Sequence, residues 1–170
     1  MSAPAAIVVM GVAGAGKTAV GRALAAALAY RFVDGDDLHP AENVANMAAG
    51  VPLEDADRWP WLTRVAHALH AETTVVACSA LKRRYRDHLR AGAGVPVLFV
   101  HLAGRPDLLA ERLAGRKGHF MPPALLTSQL AALQPPDPDE WAITVAIDPP
   151  PARIVAEIIA RSAGAGLGRN

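Results

Sequence analysis

With 170 residues, 52% of them hydrophobic and 19% charged, the chain can bury one substantial core and is not of the disordered class. A formal net charge of +1 excludes the broad basic surface that grips nucleic acid, and equally a polybasic membrane anchor. The single cysteine, Cys78, excludes an intrachain disulfide framework, reads as a small buried hydrophobe and fits a cytoplasmic protein.

The N-terminus lacks the basic region of a signal peptide, and no apolar run is long enough to span a bilayer, so no membrane contact is expected. Residues 5–10 form a continuous apolar run, the pattern of a strand buried on both faces of a parallel sheet. A helix is predicted over about 18–29, with Val20, Leu24 and Leu28 as its core stripe and Gly21 and Arg22 off that stripe. A short strand, 30–33, ends in Asp34-Gly35-Asp36-Asp37. His39-Pro40 opens a helix to about Ala48, closed by Gly50 and Pro52. Asp55 or Asp57 then caps a helix carrying Trp61, Leu62, Val65 and Leu69.

The β-rich run 73–78 predicts a third strand. Ser79 is placed as the cap of a basic helix over 80–90, broken by Gly92 and Gly94, and 95–102 supplies a fourth strand. After it come a helix at 107–114, a loop at 116–120, and a helix from Pro122-Pro123 to near Leu133. Residues 134–140, with three prolines, read as an irregular connection. A fifth strand (142–147), a last helix (151–162) and a glycine-rich tail (163–170) complete the chain. Strands alternating with helices, with neither repeat nor linker, predict one domain over 1–170. Its architecture is three-layer α/β/α around a five-stranded parallel sheet, with ligands at the carboxyl edge of the strands.

The first turn at that edge is Gly11-Val12-Ala13-Gly14-Ala15-Gly16-Lys17-Thr18, which fits G-x-x-x-x-G-K-[ST] in a strand–loop–helix setting. Its glycines let successive N–H groups point at phosphate oxygens, aided by the positive end of the following helix. Lys17 can reach the β- and γ-phosphates, and the Thr18 hydroxyl can ligate Mg²⁺. The pattern predicts a nucleoside triphosphate, ATP, as ligand. Asp34 and Asp36 end the second strand on the same edge. The third strand runs into Ser79 with no carboxylate, so Asp34 is the metal-side acid and Asp36 the group that orients or deprotonates the attacking hydroxyl. Turn formation by Asp-Gly-Asp-Asp is the competing reading, and the two are compatible.

Phosphoryl transfer also needs cations at the moving phosphate and at an anionic acceptor. Arg58, Lys82, Arg83, Arg84 and Arg86, then Arg112, Arg116 and Lys117, are the candidates. A solvated helix face competes for each, and least for Lys82, read as one turn into its helix at the sheet edge. The six histidines show no metal spacing; His67 and His70 read as surface or packing residues, while His39 and His119 lie in loops at the site edge. Trp59 and Trp61, flanking Pro60, read as core or wall packing.

Met-Gly-Val-Ala-Gly-Ala-Gly-Lys-Thr, Asp-Gly-Asp-Asp-Leu-His-Pro, Pro-Leu-Glu-Asp-Ala-Asp-Arg-Trp-Pro-Trp-Leu, Cys-Ser-Ala-Leu-Lys-Arg-Arg-Tyr-Arg-Asp and Arg-Lys-Gly-His-Phe-Met-Pro together resemble the small phosphate-loop gluconokinases, relatives of shikimate and adenylate kinases. The resemblance runs from Met10 to about Ile147. It implies ATP- and Mg²⁺-dependent phosphorylation of the D-gluconate 6-hydroxyl, feeding 6-phosphogluconate to the pentose phosphate or Entner–Doudoroff routes. It also implies a mobile lid over about 112–123 and a homodimer. Carried over position by position, it sets Asp34 near Mg²⁺ and Asp36 at the acceptor hydroxyl, with Arg58, Lys82 and His119 on the sugar acid. Arg112 would lie against adenine and Arg116 on the transferring phosphate. The Gln134-Pro-Pro segment also resembles the family pattern, in which an acidic residue often precedes the double proline; here Gln134 stands in that place.

Residue spacing alone leaves the acceptor open between gluconate, shikimate and a nucleoside monophosphate. A non-catalytic ATP sensor is the other class. A GTPase switch is excluded, since neither Asp-x-x-Gly nor Asn-Lys-x-Asp occurs in the chain.

Overall fold

The first apolar run folds as β1 (Ala6–Met10), with all five residues buried. Its pleat sends Ile7 and Val9 into one core and Ala6, Val8 and Met10 into another. The computed structural model describes residues 4–71, 73–116 and 123–165. Around β1 lie α1 (Lys17–Leu28), β2 (Arg31–Asp34), a 3-10 turn (Gly35–Leu38), α2 (Ala41–Ala48), α3 (Asp55–His70) and β3 (Thr74–Ala77). They are followed by α4 (Arg83–Ala93), β4 (Val97–Ala103), α5 (Pro106–Ala114), α6 (Pro123–Ala132), β5 (Ala142–Ala146) and α7 (Pro151–Ala165).

All strand pairs are parallel, in the order β2-β3-β1-β4-β5. The expected five-stranded parallel sheet is therefore present. The order reverses at β1, so the crevice at the carboxyl edge opens where the phosphate-loop motif leaves that strand. Edge position shows in β5, where buried and more exposed residues alternate. One core joins the sheet to α1, α5, α6 and α7 through Val20, Leu24, Leu109, Leu126, Ile154 and Ile158. The other joins it to α3 and α4 through Trp61, Leu62, Val65, Leu69, Tyr85 and Leu89. These are the three layers. Among the described residues no helix is long and apolar enough to cross a membrane.

Several local expectations are corrected. Gly21 is buried, not set aside from the packing: a Cβ there would lie 2.7 Å from Phe32 Cε1, so the absent side chain lets α1 seat on β2. Neither Asp55 nor Asp57 is the cap of α3. Glu54 caps it, and Asp57 returns a bond to the Glu54 N–H at 2.9 Å, a reciprocal box. The basic helix begins at Arg83 with Lys82 as its cap, so Ser79–Leu81 stay outside it and Lys82 is not one turn in. It passes through Gly92 and stops at the left-handed Gly94, φ 70°. α7 continues to Ala165, three residues into the expected tail. Of the expected lid, residues 117–122 lie outside the described residues.

Candidate active site

Between β1 and α1 the chain makes the tight turn its glycines allow. Gly14 and Gly16 take φ values of 85° and 89°, and Gly16 is the cap of α1. The Ala15 N–H bonds the Val12 carbonyl at 3.2 Å, and the Lys17 ammonium reaches back to the same carbonyl at 3.1 Å. Among the described residues the N–H groups of Gly14, Gly16, Lys17 and Thr18 have no protein acceptor. That is the donor set of an anion cradle at a helix N-terminus. Desolvation pushes the Lys17 ammonium below its ordinary pKa; Asp36 and Asp34 oppose this, and Arg116 adds to it. Lys17, both aspartates and Arg116 thus share one electrostatic neighbourhood.

The two acids separate into two jobs within one turn. Asp34 Oδ1 accepts the Asp36 N–H at 3.0 Å, capping the 3-10 turn, and Asp34 Oδ2 accepts the Thr18 hydroxyl at 3.1 Å. Asp36 is exposed, and its carboxylate acts on both Lys17 and His39. Trp61 is the floor of this turn: its Nε1–H donates to the Gly35 carbonyl at 2.7 Å, and its ring stacks on His39 at 4.2 Å. His39 is pushed below its ordinary pKa by burial, with Asp36 opposing and Arg58 assisting.

Tyr85, the fourth residue of Lys-Arg-Arg-Tyr-Arg, gathers the basic constellation. Arg58, Lys82 and Arg84 place their cationic groups 5.7, 5.8 and 5.6 Å from its ring centroid. Its hydroxyl donates to Asp55 Oδ1 at 2.5 Å and accepts from Arg58 Nη1 at 3.3 Å. Arg84 pairs with Asp55 at 2.5 Å. One tyrosine and one aspartate therefore hold three positive side chains together, a pattern suited to a carboxylate or a phosphate.

The remaining candidates divide. Arg112, on the last turn of α5, donates from Nη2 to the Ile147 carbonyl at 2.8 Å. Arg116 is exposed just beyond that helix. His119 and Lys117 lie outside the described residues. Arg83 is taken up by Asp137 and Asp139 at 3.0 and 2.7 Å, and Arg86 by Glu140 at 2.7 Å. Cys78 is buried, its thiol pushed up to about 12, so it carries no nucleophile. No group of three or more metal-type side chains gathers among the described residues.

Sequence reasoning missed Tyr85, Asp55 and Gln129. Gln129 Oε1 accepts the Ala13 N–H of the phosphate loop at 2.6 Å. A tyrosine on a basic helix and a glutamine on a helix with no charged residue were the available signals.

A family model described as an AAA domain matches residues 7–136. The chain is 47% identical over 161 residues to a gluconokinase of Gluconobacter oxydans, covering 92% of this chain and 90% of that protein. It is 48% identical over 141 residues to the thermosensitive gluconokinase of Escherichia coli, covering 80% and 75%. A solved gluconokinase from Sinorhizobium meliloti superposes with a TM-score of 0.89 at 48% identity, over 96% of this chain and 94% of that one. With its phosphate loop, strand order and these relatives taken together, the chain belongs to the gluconokinase family of phosphate-loop kinases.

Proposed function

We propose that this chain transfers the γ-phosphoryl group of ATP to the 6-hydroxyl of D-gluconate, giving ADP and 6-phosphogluconate. The observation that carries the reading is the adjacency of two sites on one sheet edge. Asp36 acts electrostatically on Lys17 beside the loop amides, and Asp36 and Arg58, one of the cations around Tyr85, both act on His39. The relatives named gluconokinase supply the acceptor.

In this reading the N–H groups of Gly14, Gly16, Lys17 and Thr18, with Gly11, Val12, Ala13 and Ala15 shaping the loop, hold the β- and γ-phosphates. Lys17 neutralises their charge, and Arg112 flanks adenine. Arg58 and Lys82 take the gluconate carboxylate, with His119 on the same substrate. Asp36 orients the attacking hydroxyl and takes its proton as the new O–P bond forms and the bond to ADP breaks. Arg116 balances charge on the moving phosphoryl group. The Thr18 hydroxyl and the Asp34 carboxylate, 3.1 Å apart, are hard oxygen donors that fit Mg²⁺ completed by phosphate and water. That ion, when bound, offsets charge on the β- and γ-oxygens. The same reading makes 1–170 one kinase domain, active as a cytoplasmic homodimer in gluconate breakdown. Light scattering reads the assembly.

The test is ADP release with ATP, Mg²⁺ and gluconate, run beside shikimate, a nucleoside monophosphate and no acceptor. Turnover that depends on gluconate alone is expected. Asp36→Asn should retain ATP binding and lose turnover by about 10²-fold or more. Turnover on shikimate alone, or ATP binding without turnover on any acceptor, would overturn the reading.

A further inference from the structure

Residues 79–82 join the end of β3 to α4 and carry Lys82, and every carbonyl along them is held. Ser79 O accepts the Gly11 N–H of the phosphate loop at 3.3 Å. Ala80 O accepts Arg86 Nη1 at 2.9 Å. Leu81 O accepts the Gln134 N–H at 2.8 Å, and Lys82 O accepts the Tyr85 and Arg86 N–H groups at 3.0 and 3.2 Å. Within this run Ala80 has φ 43°, a left-handed conformation that a residue with a Cβ keeps only where its surroundings over-determine it.

What over-determines it is a buried ion network. The Arg86 and Glu140 side chains are both fully buried. Arg86 engages the two Glu140 oxygens from Nε and Nη2 at 2.7 and 3.0 Å, leaving Nη1 for Ala80. Glu140 is itself fixed by the Asp137 N–H at 2.7 Å and by Arg90 at 2.6 Å. Gln134, at the other end of the same segment, bonds Leu81 O through its N–H and accepts the Arg83 N–H at 2.8 Å. A buried pair is weak evidence of stabilisation, because desolvation offsets most of its attraction. A rigid guanidinium bonded on three sides does fix direction, which a lysine ammonium would not.

We infer that residues 134–140, acting through the buried Arg86–Glu140 pair and Gln134, are a brace that fixes the 79–82 run and so sets the position of Lys82. Arg86, Glu140 and Gln134 are positioning residues for the acceptor. This rests on the kinase reading above, with Lys82 on the acceptor. It also gives Gln134 a role that needs a side-chain acceptor oxygen and no negative charge.

The test is a double-mutant cycle on steady-state kinetics with Arg86→Lys, Lys82→Ala and the pair. Arg86→Lys should raise the gluconate KM by about tenfold, the scale of one or two lost hydrogen bonds, with the ATP KM within about twofold of wild type. In the Lys82→Ala background it should add little, because its effect passes through Lys82. Gln134→Ala, at an exposed position, should raise the gluconate KM by about threefold, and Gln134→Glu should restore it. If Arg86→Lys does not fold, the cycle is run with Gln134→Ala instead. A full effect of either substitution in the absence of Lys82, or a lowered Tm with an unmoved gluconate KM, would overturn the brace. Failure of the wild-type protein to turn over gluconate would instead strike the kinase reading.

Discussion

Gln129 Oε1 accepts the Ala13 N–H at 2.6 Å, tying α6 to the phosphate loop across 116 residues of chain. Because Ala13 donates to a side chain, its peptide plane is fixed before any phosphate arrives. Leu109 and Leu113 of α5 close on the other side of the loop, where a Cβ on Gly14 would lie 3.0 Å from each of them. The loop is thus clamped from two helices.

Gln129→Ala should raise the ATP KM by about three- to tenfold, the value of one hydrogen bond, with the gluconate KM unchanged. Gln129→Glu keeps the acceptor oxygen but sets a negative charge beside the phosphate cradle. Its ATP KM should rise further, and added salt should relieve the excess. Kinetics at two ionic strengths distinguish the variants; a Glu variant indifferent to salt would place Gln129 away from the nucleotide.

Gly35 separates the two acids, and its backbone presses on the end of β3. A Cβ there would sit 2.5 Å from the Ala77 carbonyl oxygen, and backbone cannot yield as a side-chain tip can. Gly35→Ala should therefore cost about 1–3 kcal/mol of stability, read by urea unfolding. It should also shift the turn that carries Asp36 and lower kcat. Unchanged stability with unchanged kcat would mean that the turn relaxes freely.

The Tyr85 hydroxyl both restrains Arg58 and anchors Asp55. Tyr85→Phe keeps the ring under the three cations and releases these two bonds. The gluconate KM should rise by about three- to tenfold with the ATP KM held, since Arg58 loses its preset geometry. A rise in both constants would point to general loosening of α3 against α4.

Much of this was legible in the chain because local and global signals agree. The all-apolar run at Ile7-Val8-Val9 marks a central parallel strand, and the Gly16-Lys17-Thr18 step fixes where the phosphate cradle lies. Asp34 and Asp36 follow from strand end and sheet polarity alone. Tyr85, Asp55 and Gln129 did not, because their roles come from contacts between segments 30 and 116 residues apart, and periodicity carries no such information. The start of α4 at Arg83 differs from the local expectation for a related reason. Ser79 is a good local cap, but the bonds from Gly11, Arg86 and Gln134 hold 79–82 out of the helix.

Acid should reveal the Arg86–Glu140 pair. Burial alone would raise the Glu140 pKa, but hydrogen bonds from Arg86, the Asp137 N–H and Arg90 outweigh it and hold the group at about 2, below its ordinary 4.5. A carboxylate with a depressed folded pKa stabilises the protein above its unfolded value, and that contribution is lost as pH falls through the folded one. The interval from 4.5 to about 2 corresponds to on the order of 3 kcal/mol, drained mostly between pH 5 and pH 2. Urea unfolding at pH 7, 5, 4 and 3 should show that decline in the wild-type protein. The double variant Arg86→Met/Glu140→Gln removes the titrating group together with its buried partner and should show a visibly flatter curve. Parallel curves would mean that other carboxylates carry the acid sensitivity and that Glu140 is protonated at little cost to the fold.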